Sequence, residues 1–296
     1  MARIMVIGAA GQLGVDVCAQ AARAGHSLIT PSHAELDLAQ EDSIVAALER
    51  DQPDLVINTA AMHQVERCEA DPRQAFAVNT IGVRRLAMQC QRQQAVLIHV
   101  STDYVFDGAK QSPYDETDTP RPLNVYGNSK LAGENAVLAE CEQAFVVRVS
   151  GLYGHSPCRD KGGMNFVQRM LTLAAERPEI RVVDDEILTP THTRDIARQL
   201  LVLAQSRAYG LVHATAQGQC SWYQFAQHIL RAAGYQGQLN KADPGEFPAK
   251  VRRPKYCVLD NQVLGRNGLD VMPHWRDGLD AYLRDGPETE HDIRSL

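Results

Sequence analysis

Residues 3–14 read RIMVIGAAGQLG, and this stretch decides the fold that the sequence predicts. It opens with a continuous apolar run of strand length, which is typical of a strand buried on both faces of a parallel sheet. Gly8, Gly11 and Gly14 follow at once and open a helical pattern over 13–24. Glycine permits the tight turn and lets the backbone approach a pyrophosphate at the helix N-terminus. The stretch therefore predicts a dinucleotide-binding βα unit, although its spacing is GxxGxxG instead of GxGxxG.

Short apolar runs continue to alternate with helical patterns through the first half of the chain. Further runs of strand length lie at 55–57, 96–100 and 145–149. This alternation predicts an α/β fold with a doubly wound parallel sheet of the Rossmann type. The pattern loosens after residue 154. We therefore expect a dinucleotide-binding domain over 1–154 and a smaller α/β substrate domain over 155–296, from which about 190–215 could return to the first domain.

Composition excludes several classes of protein. The 296 residues include 30 Lys and Arg against 36 Asp and Glu, a net charge of −6, and 44% are hydrophobic. This is ordinary globular composition, and its acidic balance argues against a nucleic-acid partner. No apolar run approaches the roughly 20 residues of a membrane-spanning helix, and the N-terminus reaches glycine too early for a signal peptide. Seven scattered cysteines form no CxxC pair, so we predict a cytoplasmic protein without a metal site identifiable from spacing.

The residues after the second predicted strand bear on the choice between NAD and NADP. An acidic residue there would accept a ribose hydroxyl in an enzyme that prefers NAD. Residues 30–33 contain neither an acid nor an arginine, and Ser32 could donate to a 2′-phosphate. The sequence therefore favours NADP, with NAD or the use of both left open. Asp37 and Leu38 lie further along and could approach the adenosine or belong to an ordinary surface loop.

Tyr126 and Lys130 lie four residues apart on a predicted helix and therefore share one face. A free phenol has a pKa of about 10, and a nearby ammonium would lower that pKa toward the working range. The same ammonium can hold the ribose of a nicotinamide nucleotide. Thr102 follows a predicted strand at the edge where open α/β sheets bind ligands, and it could orient a carbonyl oxygen. A YxxxK pair alone is common on surfaces; its combination with Thr102 predicts a catalytic set.

Several segments together resemble the extended short-chain dehydrogenase/reductase family, and within it the dTDP-4-dehydrorhamnose reductases. The resemblance covers about Arg3 to Asp260. Its motifs are the glycine loop, Asn58–Ala61, Asn79, STDYVFDG at 101–108, YGNSKLAGE at 126–134, and the shorter matches at 122–127, 182–185, 189–191, 253–254 and 259–260.

The resemblance implies reduction of the keto group of a nucleotide-linked deoxysugar by NADH or NADPH. Tyr126 would donate the proton, Lys130 would orient the ribose, and Thr102 would complete the catalytic set. A homodimer and a magnesium ion are compatible with the resemblance, but no residue can be assigned to either. The residues implied at the cofactor are Gly8, Gly11, Gln12, Leu13, Gly14, Ser32, Asp37, Leu38, Ala60, Ala61, Asn79, Val100, Tyr126 and Lys130. Those implied at the substrate are Thr102, Asp103, Gly151 and Arg253.

The sequence departs from the family pattern on the substrate side. Gly151 stands where the family has a tryptophan that packs on the hexose, and Tyr256 stands where it has asparagine. Glu186 and Leu188 replace the usual glutamine and glycine. These changes indicate reductase chemistry on an altered substrate; alternatively, Tyr153 or Trp222 fills the gap and the substrate is unchanged.

Two other functions stay open from the sequence. One is a non-catalytic, dinucleotide-binding regulatory protein, since the regulatory subunit of methionine adenosyltransferase resembles the same family and shares the Tyr-x-x-x-Lys segment. The other is an epimerase or dehydratase that recycles its cofactor. Dehydratases usually place an adjacent pair of acids after the threonine, whereas here Asp103 is followed by Tyr104, which disfavours that alternative.

Overall fold

The structure is a computed structural model that describes residues 1–157, 163–243 and 245–285; the end of the second predicted domain, 286–296, lies outside the described residues. The strands are β1 (Arg3–Ile7), β2 (Ser27–Ile29), β3 (Leu55–Asn58), β4 (Val96–Thr102), β5 (Ala144–Val149), β6 (Leu152–Tyr153), β7 (Glu179–Val182), β8 (Ile187–Leu188), β9 (Thr191–His192), β10 (Gly210–His213), β11 (Cys220–Ser221), β12 (Gln238–Lys241) and β13 (Tyr256–Cys257). The α-helices are α1 (Gln12–Arg23), α2 (Glu41–Asp51), α3 (Val65–Ala70), α4 (Pro72–Phe76), α5 (Val83–Gln93), α6 (Val125–Glu140), α7 (Phe166–Glu176), α8 (Thr193–Ala204), α9 (Trp222–Ala232), α10 (Gln262–Arg266) and α11 (Trp275–Asp285). A π-helical turn at Ala77–Gly82 leads into α5, and a 3-10 turn at Asp103–Val105 follows β4.

Within these residues, six parallel strands form the central sheet in the order β10-β5-β4-β3-β1-β2. Alternate residues of each strand point to opposite faces. Ile57 and Ile98 join a core with α1 and α8, while Val56 and Leu97 join another with α2, α5 and α6. Burial on both faces explains why these strands are apolar without alternation. The predicted α/β, doubly wound parallel sheet is confirmed.

The chain returns to this sheet after the first half. α8 packs against α1, and β10 pairs in parallel with β5, with Gly210 opposite Phe145. These elements lie in the segment that we expected to return, about 190–215. The division of the chain at residue 154 stays a prediction.

The remaining elements pack beside the carboxyl edge of the central sheet. β7 pairs with β12, and β11, β8 and β13 form a second small sheet, with a separate core beneath α7, α9 and α11. The Ser150 hydroxyl after β5 donates to the Cys257 carbonyl of β13 at 3.0 Å, so this small sheet lies against the carboxyl end of β5. Among the described residues, no helix combines the length and the apolar character needed to cross a membrane.

Candidate active site

The glycine loop leaves the start of α1 open to an anion. Gly8 has φ +83°, a left-handed conformation, and the Gly11 N–H donates to the Gly8 carbonyl at 2.9 Å. A Cβ on Gly14 would lie 2.1 Å from that carbonyl, so the helix start packs directly on the turn. Gly11 stands at the N-cap of α1 and brings no side chain over the first turn. The loop therefore fits the pyrophosphate of a dinucleotide.

Gln12 and Leu13, also assigned to this loop, have different surroundings. The Gln12 amide donates to the carbonyls of Gly154 and Ser156 at 3.4 and 3.3 Å, so it ties the segment after β6 across the start of α1. Leu13 is 6% exposed and belongs to the core. Its backbone, not its side chain, is what a phosphate could reach.

Replacing Gly14 with alanine is expected to distort the loop, because the new Cβ meets backbone instead of a flexible side chain. We expect a loss of about 1–3 kcal/mol of unfolding free energy, typical of overpacking, together with weaker NADPH binding. Urea unfolding and fluorescence titration with NADPH measure the two effects. Gly265→Ala in α10 is the matched control, because nothing lies within 4 Å of its Cβ. Equal behaviour of the two variants would contradict this account of the loop.

Ser32, predicted to lie at the adenosine, has an acidic neighbour that the sequence did not bring to notice. The Glu35 carboxylate accepts hydrogen bonds from the Ser32 N–H at 2.8 Å and from the Ser32 hydroxyl at 2.7 Å. These bonds lower the pKa of Glu35. The hydroxyl predicted to meet a 2′-phosphate is thus engaged by a negative charge three residues later. The available signal was the spacing Ser-x-x-Glu, in which the acid accepts the N–H three residues before it, as in a capping box.

Asp37 and Leu38 are both engaged by contacts within their own segment and its core. The Asp37 carboxylate accepts a hydrogen bond from the Ala39 N–H at 2.9 Å. The backbone N–H of Asp37 donates to the Ser43 hydroxyl. Leu38 is 4% exposed and packs in the core beneath α2 and α5. The structure therefore gives both residues a local structural use, and contact with a cofactor stays a prediction.

Substituting Glu35 with glutamine should raise the affinity for NADPH relative to NADH by roughly two- to fivefold, since it removes a charge that repels a 2′-phosphate but keeps an acceptor for Ser32. The measurement is the ratio of the two dissociation constants at low ionic strength. Glu179→Gln on β7 changes net charge equally and serves as the control. A ratio that moves equally in both variants would show that the effect is only one of net charge.

The predicted catalytic residues Thr102 and Tyr126 meet at the carboxyl end of β4. Thr102 lies close enough to the Tyr126 hydroxyl to lower the pKa of the phenol, but burial outweighs this effect and raises that pKa overall. The Thr102 hydroxyl donates to Asp103 at 2.9 Å. The Asn124 side chain accepts the Gly127 N–H at 2.9 Å and fixes the start of α6, on whose first turn Tyr126 lies.

Asp103 lies behind Thr102 and is 6% exposed. One of its carboxylate oxygens accepts from Thr102 and the other from the Ser150 hydroxyl at 2.8 Å. Burial raises its pKa, and these hydrogen bonds oppose the rise. Asp103 therefore orients Thr102, and its direct contact with the substrate stays a prediction.

Lys130 lies on the same helix as Tyr126 but is turned against β4. Its amine donates to the Val100 carbonyl at 2.7 Å and lies 3.2 Å from His99 Nε2. Burial lowers the pKa of Lys130 to about 8. The expectation that this ammonium lowers the pKa of Tyr126 is not met, because the pKa of the buried phenol is raised and the opposing bond comes from Thr102.

Asn79 has a structural use in this part of the site. It is fully buried, and its amide donates to the Met62 carbonyl at 2.9 Å and to the Ser129 hydroxyl at 3.0 Å. Its oxygen accepts the Met62 N–H at 2.9 Å. Asn79 thus fixes the segment after Ala60 and Ala61, and its contact with a cofactor stays a prediction. Those two alanines are half-buried at the carboxyl end of β3, as the predicted nicotinamide side requires.

A buried ion pair lies beneath α6 and was not identified from the sequence. Both carboxylate oxygens of Glu134 accept from Arg148, the closest at 2.7 Å, and Ser101 donates to the same carboxylate at 2.5 Å. The two side chains are 2% and 3% exposed. The available signal was the presence of Arg148 inside an otherwise apolar strand, because a charge buried on both faces needs a partner.

The substrate side carries the four departures from the family pattern. Gly151 has φ +57°, and its Cβ would lie 2.8 Å from the Thr189 carbonyl, so a larger residue would be strained here. Trp222 donates its indole N–H to Glu186 at 3.1 Å, and the Tyr256 hydroxyl donates to Gln219 at 2.6 Å. Leu188 lies beside Gly151.

Tyr153 and Arg253 complete the predicted substrate residues. Tyr153 is 1% exposed and stacks on His192 inside the second core, so it does not line the cleft as the alternative prediction required. Arg253 forms an ion pair with Glu66 of α3 at 2.5 Å, across the cleft. A cavity of about 370 Å³ lies beside this pair and is lined by Glu66, Val183, Glu186, Phe247, Lys250 and Arg253, among others.

The sequence left a magnesium ion open without assigning ligands to it, and the structure adds no assignment. Within 1–157, 163–243 and 245–285, no three or more side chains of His, Cys, Asp and Glu are grouped so as to hold a metal ion.

Fold and site together define an NAD(P)-dependent oxidoreductase of the extended short-chain dehydrogenase/reductase type. The chain belongs to the RmlD substrate binding domain family, whose model matches residues 2–287.

Individual relatives agree with this assignment. The chain is 39% identical to the dTDP-4-dehydrorhamnose reductase of Mycobacterium tuberculosis over 95% of this chain and 92% of that protein. It is 35% identical to the dTDP-4-keto-6-deoxy-D-glucose reductase of Streptomyces niveus over 94% and 95%. Among solved structures, the dTDP-4-dehydrorhamnose reductase of Bacillus anthracis in complex with NADP has a TM-score of 0.90 and 33% identity over 96% of this chain and 98% of that one.

Proposed function

We propose that this protein reduces the 4-keto group of a nucleotide-linked 4-keto-6-deoxyhexose, of the class represented by dTDP-4-dehydrorhamnose, with NADPH or NADH. The observation that carries the proposal is that Tyr126 at the start of α6 lies beside Thr102 at the carboxyl end of β4, on the same sheet whose first strand leads into the glycine loop. Relatives named as reductases of two such sugars support the substrate class.

The chain's own residues supply the proton and hold the reacting groups. When bound, the reduced nicotinamide supplies a hydride to the carbonyl carbon. Tyr126 donates its proton to the carbonyl oxygen. The Thr102 hydroxyl donates to Asp103, so its oxygen is left to accept from the phenol and orient it before the transfer. Asp103 holds the Thr102 hydroxyl in place. Water then returns a proton to Tyr126. Lys130 holds the ribose on the same helix face.

The sugar side of the site supports a substrate that differs from that of the named relatives. Gly151 gives the cleft no apolar wall, and a tryptophan cannot be accommodated there without moving the Thr189 backbone. Glu186 brings a carboxylate to the cavity, where Trp222 orients it. We infer that the protein recognises the hexose at this position through polar contacts more than through stacking on an aromatic ring.

The test is to mix the protein with NADPH or NADH and a panel of nucleotide 4-ketosugars and to follow the absorbance of the reduced nicotinamide. We expect stoichiometric oxidation with at least one sugar, and no oxidation by a Tyr126→Phe preparation made in parallel. Sugar conversion without net oxidation of the cofactor would favour an epimerase. Cofactor binding without turnover of any sugar in the panel would favour a regulatory protein and would count against the proposal.

A further inference from the structure

A row of polar side chains crosses the central sheet on the face beneath α6. The strand register places Asn58 of β3 opposite His99 of β4, and Arg148 of β5 opposite both Ser101 of β4 and His213 of β10. All five side chains are at most 3% exposed. Polar groups buried in this way have to satisfy one another, so the direction of each hydrogen bond is constrained.

The Asn58 end of the row fixes the tautomer of His99. The Asn58 oxygen accepts the Ala60 N–H at 3.0 Å, which orients the amide. Its NH₂ group therefore points to His99 Nδ1, at 3.1 Å. Because an amide NH₂ can only donate, Nδ1 has to accept, and a neutral imidazole then carries its proton on Nε2. Burial and the neighbouring Lys130 both lower the pKa of His99, so the ring is neutral.

The proton on His99 Nε2 restricts the protonation state that Lys130 can have beside it. His99 Nε2 and the Lys130 amine lie 3.2 Å apart, and the amine donates to the Val100 carbonyl. An N–H that points at this amine needs a lone pair there, which an ammonium lacks. Beside His99, Lys130 is therefore favoured as a neutral amine, in agreement with a pKa lowered to about 8.

We propose that His99 is a positioning residue that favours the neutral amine form of Lys130 against β4 in the ligand-free protein, so that Lys130 becomes more basic when it leaves His99 for the dinucleotide. The other charged groups on this face do not hold an ammonium in place. Glu134 lies one turn along α6 and favours the charged form, but both of its oxygens are engaged by Arg148 of β5. The part of the proposal that concerns the dinucleotide rests on the proposed function.

The first experiment measures the histidine tautomers in the wild-type, ligand-free protein by ¹⁵N NMR. His99 is expected to carry its proton on Nε2. His213 is an internal control with the opposite expectation, because its Nδ1 faces the carbonyls of Tyr114 and Asp260 at 3.1 and 3.2 Å and has to donate. A proton on Nδ1 of His99, or a charged ring, would overturn the proposal. Because the experiment uses the wild-type protein, its result does not depend on whether a variant folds.

The second experiment titrates the lysine ε-carbons by ¹³C NMR, with the Lys130 signal assigned by its loss in Lys130→Arg. The wild-type midpoint is expected near 8. In His99→Gln it should rise by at least about one pH unit, because the amide oxygen can accept from an ammonium. A wild-type midpoint at the ordinary value of about 10.4 would overturn the proposal.

The link to the cofactor is tested separately by the pH dependence of NADPH affinity. If Lys130 has to be charged to bind, the wild-type affinity falls about tenfold per pH unit above the lowered pKa, whereas His99→Gln stays flat up to the raised one. A flat wild-type profile beside the expected NMR results would overturn the coupling to the dinucleotide. Loss of sugar reduction with these NMR and binding results intact would instead count against the proposed function alone.

Discussion

Replacing Tyr126 with phenylalanine is expected to lower kcat by about 10²- to 10⁴-fold, the usual contribution of a positioned proton donor. The ring of Tyr126 packs edge-on against Tyr104, and phenylalanine keeps this contact. Only the hydroxyl beside Thr102 is lost. The Kd for NADPH should therefore remain within about twofold of wild type, because an interaction used only in the transition state has been removed. Steady-state kinetics with the sugar identified by the panel assay and fluorescence titration with NADPH measure the two quantities.

Tyr104→Phe is the matched control for this prediction. Its ring centroid lies 5.9 Å from that of Tyr126, so each variant removes one phenolic hydroxyl from one of two neighbouring rings. We expect Tyr104→Phe to retain turnover within about tenfold of wild type. Full activity of Tyr126→Phe would show that another group donates the proton, and equal losses in the two variants would point to a general disturbance of the cleft.

The largest expected effect on stability comes from Glu134→Ala. This change leaves Arg148 buried without the carboxylate that accepts from its guanidinium. Removing one partner of a buried ion pair typically costs 3–5 kcal/mol, so we expect a loss of about that size in the free energy of unfolding. Urea denaturation at constant pH measures this loss of unfolding free energy. A variant that is largely unfolded without urea would agree with the upper end of the expected range.

Glu140→Ala on the same helix supplies the comparison. Glu140 also pairs with an arginine, Arg84, at 2.6 Å, but that arginine side chain is 53% exposed. An exposed pair contributes less than about 1 kcal/mol, since water solvates both charges when the pair is broken. Similar losses for the two variants would mean that the buried network does not stabilise the fold as we describe.

The fold and the placement of Tyr126 and Thr102 at the ends of their elements could be predicted because the signals are local, whereas the roles assigned to these residues stay predictions. The apolar run of β1 and the glycines that follow it are adjacent in sequence, and Tyr126 and Thr102 each lie at the end of a recognisable element. The phosphate loop and the sheet need no knowledge of distant contacts. These are the features for which periodicity and turn chemistry are sufficient.

The features that were missed depend on which strands become neighbours. Arg148 meets Ser101, and His99 meets Asn58, only through the register of separate strands. The spacing of residues along the sequence does not determine which residues of separate strands pair. Asn79 was assigned to the cofactor by resemblance, whereas packing against α6 encloses it. The pKa of Tyr126 depends on burial, which the four-residue spacing to Lys130 does not reveal.

The return of the chain to the central sheet limits how this protein can be divided. A fragment that stops at residue 154 would lack β10 and α8, and would leave the outer edge of β5 and the apolar surface of α1 uncovered. Unpaired strand edges of this kind recruit other chains, so such a fragment should aggregate instead of folding alone. The two halves are therefore poor modules for exchange between homologous chains, and a chimera that respects the topology has to transfer residues 193–213 together with the amino-terminal half.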